Sequence, residues 1–487
     1  MNRIKDISKK VLTNPAIIYV GSRYATYAIQ FINSLFIAIY LGPFYLGIWG
    51  FIQLVTQYIS QINFGIPHAV NVLVAIDKYK EEYTRKVIGS GILMLVFLSF
   101  LLVLFFVIGD LFNINIGTRY DFQQYIIAVC IIGVINYFNV FFSNIFRIYG
   151  KVLTIAITQS LFPVLMLTVI FVFKGESLLL AMVWVNVLSL VISFFIYVLT
   201  RPVSLKPAFD WGVVRKIQIT GWHLFIYNSC FVIILLSTRT FISVYYEVEE
   251  FGFFTFSFSL AQTVLLFLQA LAFLITPKLI HRFANLNNDH SYRILKTICN
   301  AYITVAHGLV YVIILLFPSF LYFFPKYNSV FPTFALIVLS IALHTSAFGY
   351  GSLLLARRQE KLMGRISLLA LVVNILLALL LILVLQVTYE YVIIATMVSY
   401  FILVILIGIY GQKELSLHAS IRVFTADVIP LRIMLPFLVC MVLIMLQGTQ
   451  ILFIIPLMLY AILNYKSILQ IKDIAKRVLI DKRFLNI

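Results

Sequence analysis

The chain has 487 residues and a net charge of +18; 62% of its residues are hydrophobic and only 11% are charged. A soluble protein carries about a quarter charged residues, so this composition excludes an ordinary soluble fold. The positive charge does not indicate a nucleic-acid partner, because nearly all Lys and Arg residues fall in alternate loops between apolar segments.

Apolar runs of about eighteen or more residues recur along the chain and predict membrane-spanning helices. Only Arg119, Lys174 and Lys326 lie in the loops opposite the basic ones. This asymmetry predicts an even number of spans, with the N- and C-termini both cytoplasmic. No cleavable signal peptide is expected. We predict about fourteen transmembrane helices, at 16–39, 46–75, 87–108, 122–146, 152–173, 177–199, 217–244, 251–276, 294–317, 330–355, 363–386, 389–410, 429–446 and 450–464.

The first two spans form a hairpin with an unusual polar content. Arg23 lies about two turns into the first span, and an uncharged turn follows at 41–47. The second span has a ladder of amides that share one helix face because they recur at i, i+4 and i+8. The ladder consists of Gln53, Gln57 and Gln61, and the first span adds Gln30 and Asn33.

Two arginines fall in the interior of predicted spans, Arg23 and Arg239, whereas Arg365 and Arg432 lie within the first four residues of theirs. An arginine in hydrocarbon costs at least about 2.5–3.5 kcal/mol, so it is retained where it meets water, a partner or an anion. The planar guanidinium binds two phosphate oxygens well. We predict a diphosphate site at Arg23, with Arg239 and His223 as further members; simple hydrogen bonding within the helix bundle is the favoured alternative for His223. Snorkelling to the headgroups is the alternative for both arginines, and the favoured one for Arg239.

Intramembrane amides can line a cavity for sugars, because an amide matches both the donor and the acceptor role of a hydroxyl. They can also bond one helix to another. We predict glycan contacts for Gln30, Asn33, Gln53, Gln57, Gln61, Gln262 and Gln269. The same two roles stay open for Asn136, Asn139, Asn144, Gln159 and Asn300.

The two halves of the chain match at an offset of about 205–210 residues. Because six spans separate the matched points, the halves are predicted to be parallel repeats. We predict an N-terminal bundle at 1–200, a C-terminal bundle at 201–411, and a final helix pair with a basic amphipathic tail at 412–487. Pro67 and Pro277 are candidate hinges, with ordinary helix termination as the alternative. The matched pairs are Gly47 with Gly252, Gln57 with Gln262, Pro67 with Pro277, and Arg147 with Arg357.

Catalytic and metal-binding patterns are missing. Of the 18 Asp and Glu residues, all fall in predicted loops or tails except Glu390, the second residue of the predicted span 389–410, and there is no Walker sequence. We therefore predict no enzyme activity, no cofactor and no metal site. A membrane route for cations without a buried carboxylate is also disfavoured. Four cysteines are expected to be small buried hydrophobes without disulfides: Cys130, Cys230, Cys299 and Cys440.

Five stretches carry a family resemblance: 40–51, 62–67, the basic loop 78–86, 146–151 and 353–361. With them the chain resembles Wzx-type polysaccharide and oligosaccharide flippases of the multidrug/oligosaccharidyl-lipid/polysaccharide exporter superfamily. The resemblance implies an all-α polytopic protein with two pseudo-symmetric six-helix bundles and two C-terminal helices. It also implies alternating access for undecaprenyl-diphosphate-linked oligosaccharides at the bacterial inner membrane, for O-antigen, capsule or exopolysaccharide assembly.

The implied partners are the lipid-linked oligosaccharide, membrane lipids, a coupling ion (H⁺ or Na⁺), and polysaccharide polymerase and chain-length proteins; no nucleic acid is expected. Other functions stay open at this stage. The second function considered is a flippase for the peptidoglycan precursor or another polyprenyl-linked unit. A drug/cation antiporter is disfavoured by the missing carboxylates, and a membrane glycosyl polymerase by the short outer loops. A scaffold protein is disfavoured by the repeats with internal arginines.

Overall fold

The computed structural model describes residues 15–76, 80–112, 114, 116–415 and 427–480, and within them the only regular elements are helices. The all-α prediction is thereby confirmed. These residues form two compact units. The first contains the described residues up to Ser229 together with Tyr246–Phe256, and the second contains Cys230–Tyr245 and the described residues from Ser257 onward. The bundle limits at 200 and 411 stay predictions.

Parts of four basic segments lie outside the described residues: the N-terminal segment before residue 15, the loop start at 77–79, the loop at 416–426 and the tail end at 481–487. The first unit is built from the helices Pro15–Gln61 (α1), Ile66–Ile76 (α2), Glu81–Leu111 (α3), Ile126–Ile148 (α4), Val152–Ile170 (α5) and Gly175–Leu199 (α6). Two further helices, Trp211–Tyr245 (α7) and Val248–Asn285 (α8), contribute residues to both units.

The second unit continues through seven more helices. They are Asn288–Leu321 (α9), Phe331–Thr345 (α10), Phe348–Ala356 (α11), Glu360–Leu379 (α12), Ile393–Glu414 (α13), Leu431–Met445 (α14) and Ile454–Ile480 (α15). Within the described residues, ten helices are long and apolar enough to cross a membrane, and three shorter apolar helices accompany them. The chain is thus a multi-pass membrane protein, while the count of fourteen spans stays a prediction.

The predicted turn between the first two spans is a sharp break inside α1. Gly42 has φ 72° and ψ 172°, which is outside the helical region. Glycine adopts this conformation without a Cβ clash, and Pro43 then opens the next helical segment, where its missing N–H is not needed. The break predicted within 41–47 is thus located at Gly42, with helix from Pro43 onward, and the two halves of α1 are the first span and most of the second.

A second break ends α1 and precedes Pro67. Phe64 and Gly65 have φ values of 49° and 72°. The Asn63 amide donates to the Ser60 carbonyl at 2.7 Å and accepts from the Gly65 N–H at 2.9 Å, which closes the turn. Pro67 is the second residue of α2, a position that tolerates proline. The chain therefore bends at Phe64 and Gly65, and Pro67 starts a helix instead of kinking one.

In the C-terminal region, the last helix continues beyond residue 464, the predicted end of the last span. Helix α15 runs without interruption to Ile480. No glycine or proline follows Pro456 within it, so nothing in the local sequence ends the helix earlier. Arg432, near the start of the predicted span 429–446, lies in the first turn of α14 and donates to Asn300 and Ser467.

Several of the uncertain amides bond helix to helix in the structure. The Asn136 amide donates to the Ser60 hydroxyl at 2.8 Å, and the Asn139 amide donates to the Leu190 carbonyl at 3.0 Å. Asn144 donates to Val140 of its own helix. The four cysteines are free; Cys230, Cys299 and Cys440 are buried as expected, whereas Cys130 is half-buried.

Candidate functional site

Arg23 is held between two helices of the first unit. Its Nη1 donates to Gln159 Oε1 on α5, and its Cζ lies 5.2 Å from the centroid of the Tyr27 ring one turn later on α1. The side chain is half-buried. The guanidinium is therefore directed to a neighbouring helix as well as to its own, and an amide oxygen already occupies a position that suits an oxygen acceptor.

The two remaining polar residues of the first span have different surroundings. Asn33 is only 4% exposed, and its amide donates to the Pro163 carbonyl on α5 at 2.8 Å. In this structure Asn33 therefore makes an interhelical bond, the alternative role considered above, and does not line open space. Gln30 is half-buried.

The amide ladder lies on an unbroken part of α1. Gln53, Gln57 and Gln61 are all half-buried, so the shared face is neither sealed in the core nor fully exposed. The neighbouring hydroxyls turn back to their own helix: Thr56 donates to the Ile52 carbonyl and Ser60 to the Thr56 carbonyl, both at 2.8 Å. The amides are thus the groups that this face offers to a polar ligand.

Two glycines matched by the internal repeat lie against each other. A Cβ on Gly252 would overlap the Pro43 carbonyl, with the Gly47 nitrogen 3.1 Å away, and a Cβ on Gly47 would overlap the Val248 carbonyl. One turn further, a Cβ on Gly50 would overlap the Thr255 hydroxyl. The start of α8 therefore packs directly on the backbone of α1, and only glycine allows this approach.

A second close backbone approach lies at the turn before α2. A Cβ on Gly65 would overlap the Gly221 carbonyl of α7. The Phe64 and Phe225 rings lie beside this contact, with centroids 5.5 Å apart. The sequence singled out Pro67 as the hinge candidate here, but the positive φ values and the close approach both belong to the residues before it.

Arg239 has a different environment from Arg23. It lies in the part of α7 that belongs to the second unit, is fully buried, and its Cζ stands 4.6 Å from the centroid of the Phe258 ring on α8. A guanidinium over an aromatic face is stabilised by the ring quadrupole. Complete burial means that Arg239 does not snorkel to the headgroups in this structure; its predicted contact with a diphosphate stays a prediction.

Next to Arg239, a buried polar cluster joins α7, α12 and α13. The Asn374 amide donates to the Ile234 carbonyl at 3.0 Å and to the Ser237 hydroxyl at 2.8 Å. The Thr238 and Thr396 hydroxyls are 2.6 Å apart. Sequence reasoning missed Asn374 and Thr396, although a single Asn in a long apolar run is a usable signal for interhelical bonding.

The other predicted site residues are only partly described. Gln262 lies on α8 and is half-buried. His223 lies on α7, and Gln269 and Pro277 lie on α8, but their side chains are outside what the structure describes. Their predicted contacts with substrate, and the hinge role of Pro277, therefore stay predictions.

One acidic residue that the sequence placed in a loop is bound inside the second unit. Asp427 has a side chain only 5% exposed, and it contacts Lys296 Nζ at 3.5 Å. Its other carboxylate oxygen accepts the Tyr292 hydroxyl at 2.5 Å. Asp427 therefore ties the chain before α14 to the first turns of α9, and sequence spacing gave no signal for it.

Comparison with solved structures places this architecture in a known fold. The lipid II flippase MurJ in its inward closed conformation is similar with a TM-score of 0.71 at 13% identity, over 96% of this chain and 100% of that one. An inward-facing multidrug resistance transporter of the MATE family gives 0.65 at 12%, over 81% and 94%. A transporter of the same superfamily from Pyrococcus furiosus gives 0.60 at 13%, over 83% and 95%.

The fold is therefore that of the multidrug/oligosaccharidyl-lipid/polysaccharide exporter superfamily, as predicted from the sequence. Residues 12–276, more than half of the chain, match the family described as polysaccharide biosynthesis protein. The chain belongs to that family. A comparison with curated proteins gives no match. The Wzx-type assignment within the family stays a prediction.

Proposed function

We propose that this protein is a flippase that moves undecaprenyl-diphosphate-linked oligosaccharide units across the bacterial cytoplasmic membrane by alternating access. The product would feed the assembly of a surface polysaccharide. Family membership supports a role in polysaccharide biosynthesis, and the fold supports transport. The observation that carries the proposal is a half-buried guanidinium and a row of half-buried amides on α1, within the candidate membrane-spanning stretch Gly21–Gln61.

Arg23 is the proposed phosphate ligand. Its guanidinium currently donates to a neutral amide oxygen, Gln159 Oε1. A diphosphate oxygen is a stronger acceptor, because hydrogen bonds to ionised groups contribute about twice as much as neutral ones. A substrate phosphate can thus replace the amide without leaving a buried donor unsatisfied. Release of the phosphate would restore the bond to Gln159.

The amide ladder is the proposed glycan contact. Each of Gln53, Gln57 and Gln61 presents both donors and an acceptor, and each is half-buried. A row of such groups can exchange partners with sugar hydroxyls at successive helical turns, about 6 Å apart. Adjustable contacts of this kind suit a carrier that must bind its load and release it.

The orientation and the energy source are also part of the proposal. The charge distribution puts both termini in the cytoplasm, so the substrate would enter from the cytoplasmic leaflet. We propose coupling to H⁺ or Na⁺, with removal of the product by a polymerase and a chain-length protein on the far side. The bundle division at 1–200, 201–411 and 412–487 supplies the alternating units in this scheme.

The test is deletion of the gene and analysis of the lipid-linked oligosaccharide. Deletion should remove surface polysaccharide and leave the intact lipid-linked unit in the cytoplasmic leaflet, where an externally added glycosidase or periodate does not reach it in spheroplasts. A strain in which the unit stays accessible from outside contradicts the proposed direction of transport.

The ladder is tested in the same strain with the Gln53→Leu, Gln57→Leu, Gln61→Leu triple variant. We expect it to accumulate in the membrane at the wild-type level and to restore little or no polysaccharide. The matched control is Thr56→Val, which changes a hydroxyl on the same helix that donates to its own backbone. If the triple variant restores as much polysaccharide as wild type, the ladder does not contact the glycan as proposed.

A second candidate is a flippase for the peptidoglycan precursor, favoured by the coverage of the match to the lipid II flippase. Complementation separates the two functions. A conditional strain lacking its own lipid II flippase should not be rescued by this protein if the proposed oligosaccharide function is right. Rescue of growth would favour the second candidate.

A further inference from the structure

The first unit contains a large apolar groove away from the amide ladder. Its volume is about 840 Å³, within the usual range of ligand sites. One wall is the face of α3 that carries Leu93, Met94, Phe97, Leu98 and Leu101, and the other is the N-terminal part of α7. Phe64 and Ile66 also line it, beside the close approach of Gly65 to Gly221.

The groove has an aromatic rim of a kind that lies at a membrane interface. Phe209, Trp211 and Trp222 line it and are 69%, 67% and 51% exposed. Tryptophan is enriched at the level of the lipid headgroups, because the indole has an apolar body and a polar N–H. The rim therefore indicates that the groove opens where headgroups and acyl chains meet.

Cationic side chains lie at this same end of α7. Arg215 follows Trp211 by four residues and precedes Gln218 by three and Trp222 by seven, so it shares the helix face that lines the groove. It is exposed. The adjacent Lys216 donates to the Tyr83 hydroxyl at the start of α3 at 2.9 Å, so a second positive charge lies near this end of α7.

An apolar groove with a cationic mouth matches one class of membrane molecule. We propose that it is a binding site for an anionic phospholipid, with an acyl chain along the α3 wall and the headgroup phosphate at Arg215. Gln218, within the groove, can donate to the ester carbonyl below the phosphate. This inference is separate from the transported substrate, because no ladder residue lines the groove.

The test uses tryptophan fluorescence, because two of the four tryptophans line the groove. A Trp49→Phe, Trp184→Phe variant keeps Trp211 and Trp222 as reporters. The matched control variant keeps only Trp184, which is 49% exposed on α6. Each protein is reconstituted in vesicles containing equal fractions of brominated phosphatidylglycerol or brominated phosphatidylcholine, and quenching is measured.

We expect the groove reporters to favour the brominated anionic lipid about fivefold, as one cation near the surface contributes about 1 kcal/mol to binding an anionic lipid. Trp184 should show no preference. Arg215→Gln should remove the preference, and Arg215→Lys should keep most of it. Arg293→Gln, which changes an exposed arginine that does not line the groove, should leave it unchanged.

Equal quenching by the two lipids at Trp211 and Trp222 would overturn the proposal, as would a preference that survives Arg215→Gln. Quenching that is relieved by polyprenyl phosphate but not by unbrominated phosphatidylglycerol would assign the groove to the carrier lipid instead. Loss of the preference with full polysaccharide export separates this site from the proposed transport function.

Discussion

Arg23 and Arg239 lie in equivalent spans of the two sequence halves, yet their surroundings have little in common. Arg23 is half-buried and donates to an amide on a neighbouring helix. Arg239 is fully buried over the Phe258 ring, next to a polar cluster that joins three helices. A cation that can exchange its partner suits a ligand site, whereas one enclosed by its own unit suits the stability of that unit.

The largest effect is expected for Arg239→Ala. Replacing a fully buried long side chain by Ala leaves a cavity, which costs about 2–5 kcal/mol. The purified variant should unfold at a clearly lower temperature in detergent than wild type. Arg239→Met keeps most of the side-chain volume, so its unfolding temperature should fall less than that of Arg239→Ala. An unchanged unfolding temperature for Arg239→Ala would end the distinction between the two arginines.

Arg23→Gln should affect export more than stability, the reverse of what is expected for Arg239→Ala. Loss of a charged hydrogen-bond donor to phosphate costs about 1.5–3 kcal/mol of binding, roughly ten- to a hundredfold. Surface polysaccharide should therefore be lost while the amount of protein in the membrane and its unfolding temperature stay close to wild type. Arg23→Lys keeps the charge without the planar fork and should retain part of the export. Full export by Arg23→Gln would place the phosphate elsewhere.

The aromatic partners offer a finer comparison. Phe258→Leu removes a ring face from a desolvated cation, worth about 2 kcal/mol, whereas Tyr27→Leu removes one from a half-buried cation, worth about 0.5–1 kcal/mol. In urea or thermal unfolding, Phe258→Leu should therefore lose more stability than Tyr27→Leu. The reverse ranking would mean that the ring at Tyr27 is the more important contact.

The smallest effect is expected for Gln159→Leu. It removes a neutral acceptor from a partly exposed donor, with a cost of about 0.5–1.5 kcal/mol. Because the amide competes with substrate in the proposed scheme, the export rate should hold or rise even as stability falls slightly. Export should be measured for Gln159→Leu and Arg23→Gln in the same experiment. If Gln159→Leu loses as much export as Arg23→Gln, then Gln159 positions Arg23 and does not compete with the phosphate.

Local features were predictable from the sequence because they depend on residues near each other. Gly42 and Pro43 mark a break in the helix, because the positive φ of Gly42 is a conformation that residues with a Cβ rarely adopt. The amide ladder follows from helical periodicity alone. Family-level resemblance likewise rests on short stretches. These are the parts of the fold and the candidate site that the structure reproduces.

The remaining features depend on which helices meet. The partner of Arg23 is Gln159, 136 residues away, and that of Asn33 is the Pro163 carbonyl, 130 residues away. Helical periodicity identifies a face but not the helix that will cover it. The burial of Arg239 and the bonds of Arg432 were missed for the same reason: their depth follows from packing between helices distant in sequence.

The contact of Gly47 with the start of α8 has a consequence for how the two helices separate. Dispersion between touching backbones falls by a quarter to a half once a gap of only about 0.5–1 Å opens. The atoms nearest to Gly47 are those of Val248, which carry no net charge, so ionic strength and pH have little direct influence on this contact. Such a contact acts only at short range, so even a small separation of the two helix starts weakens it substantially.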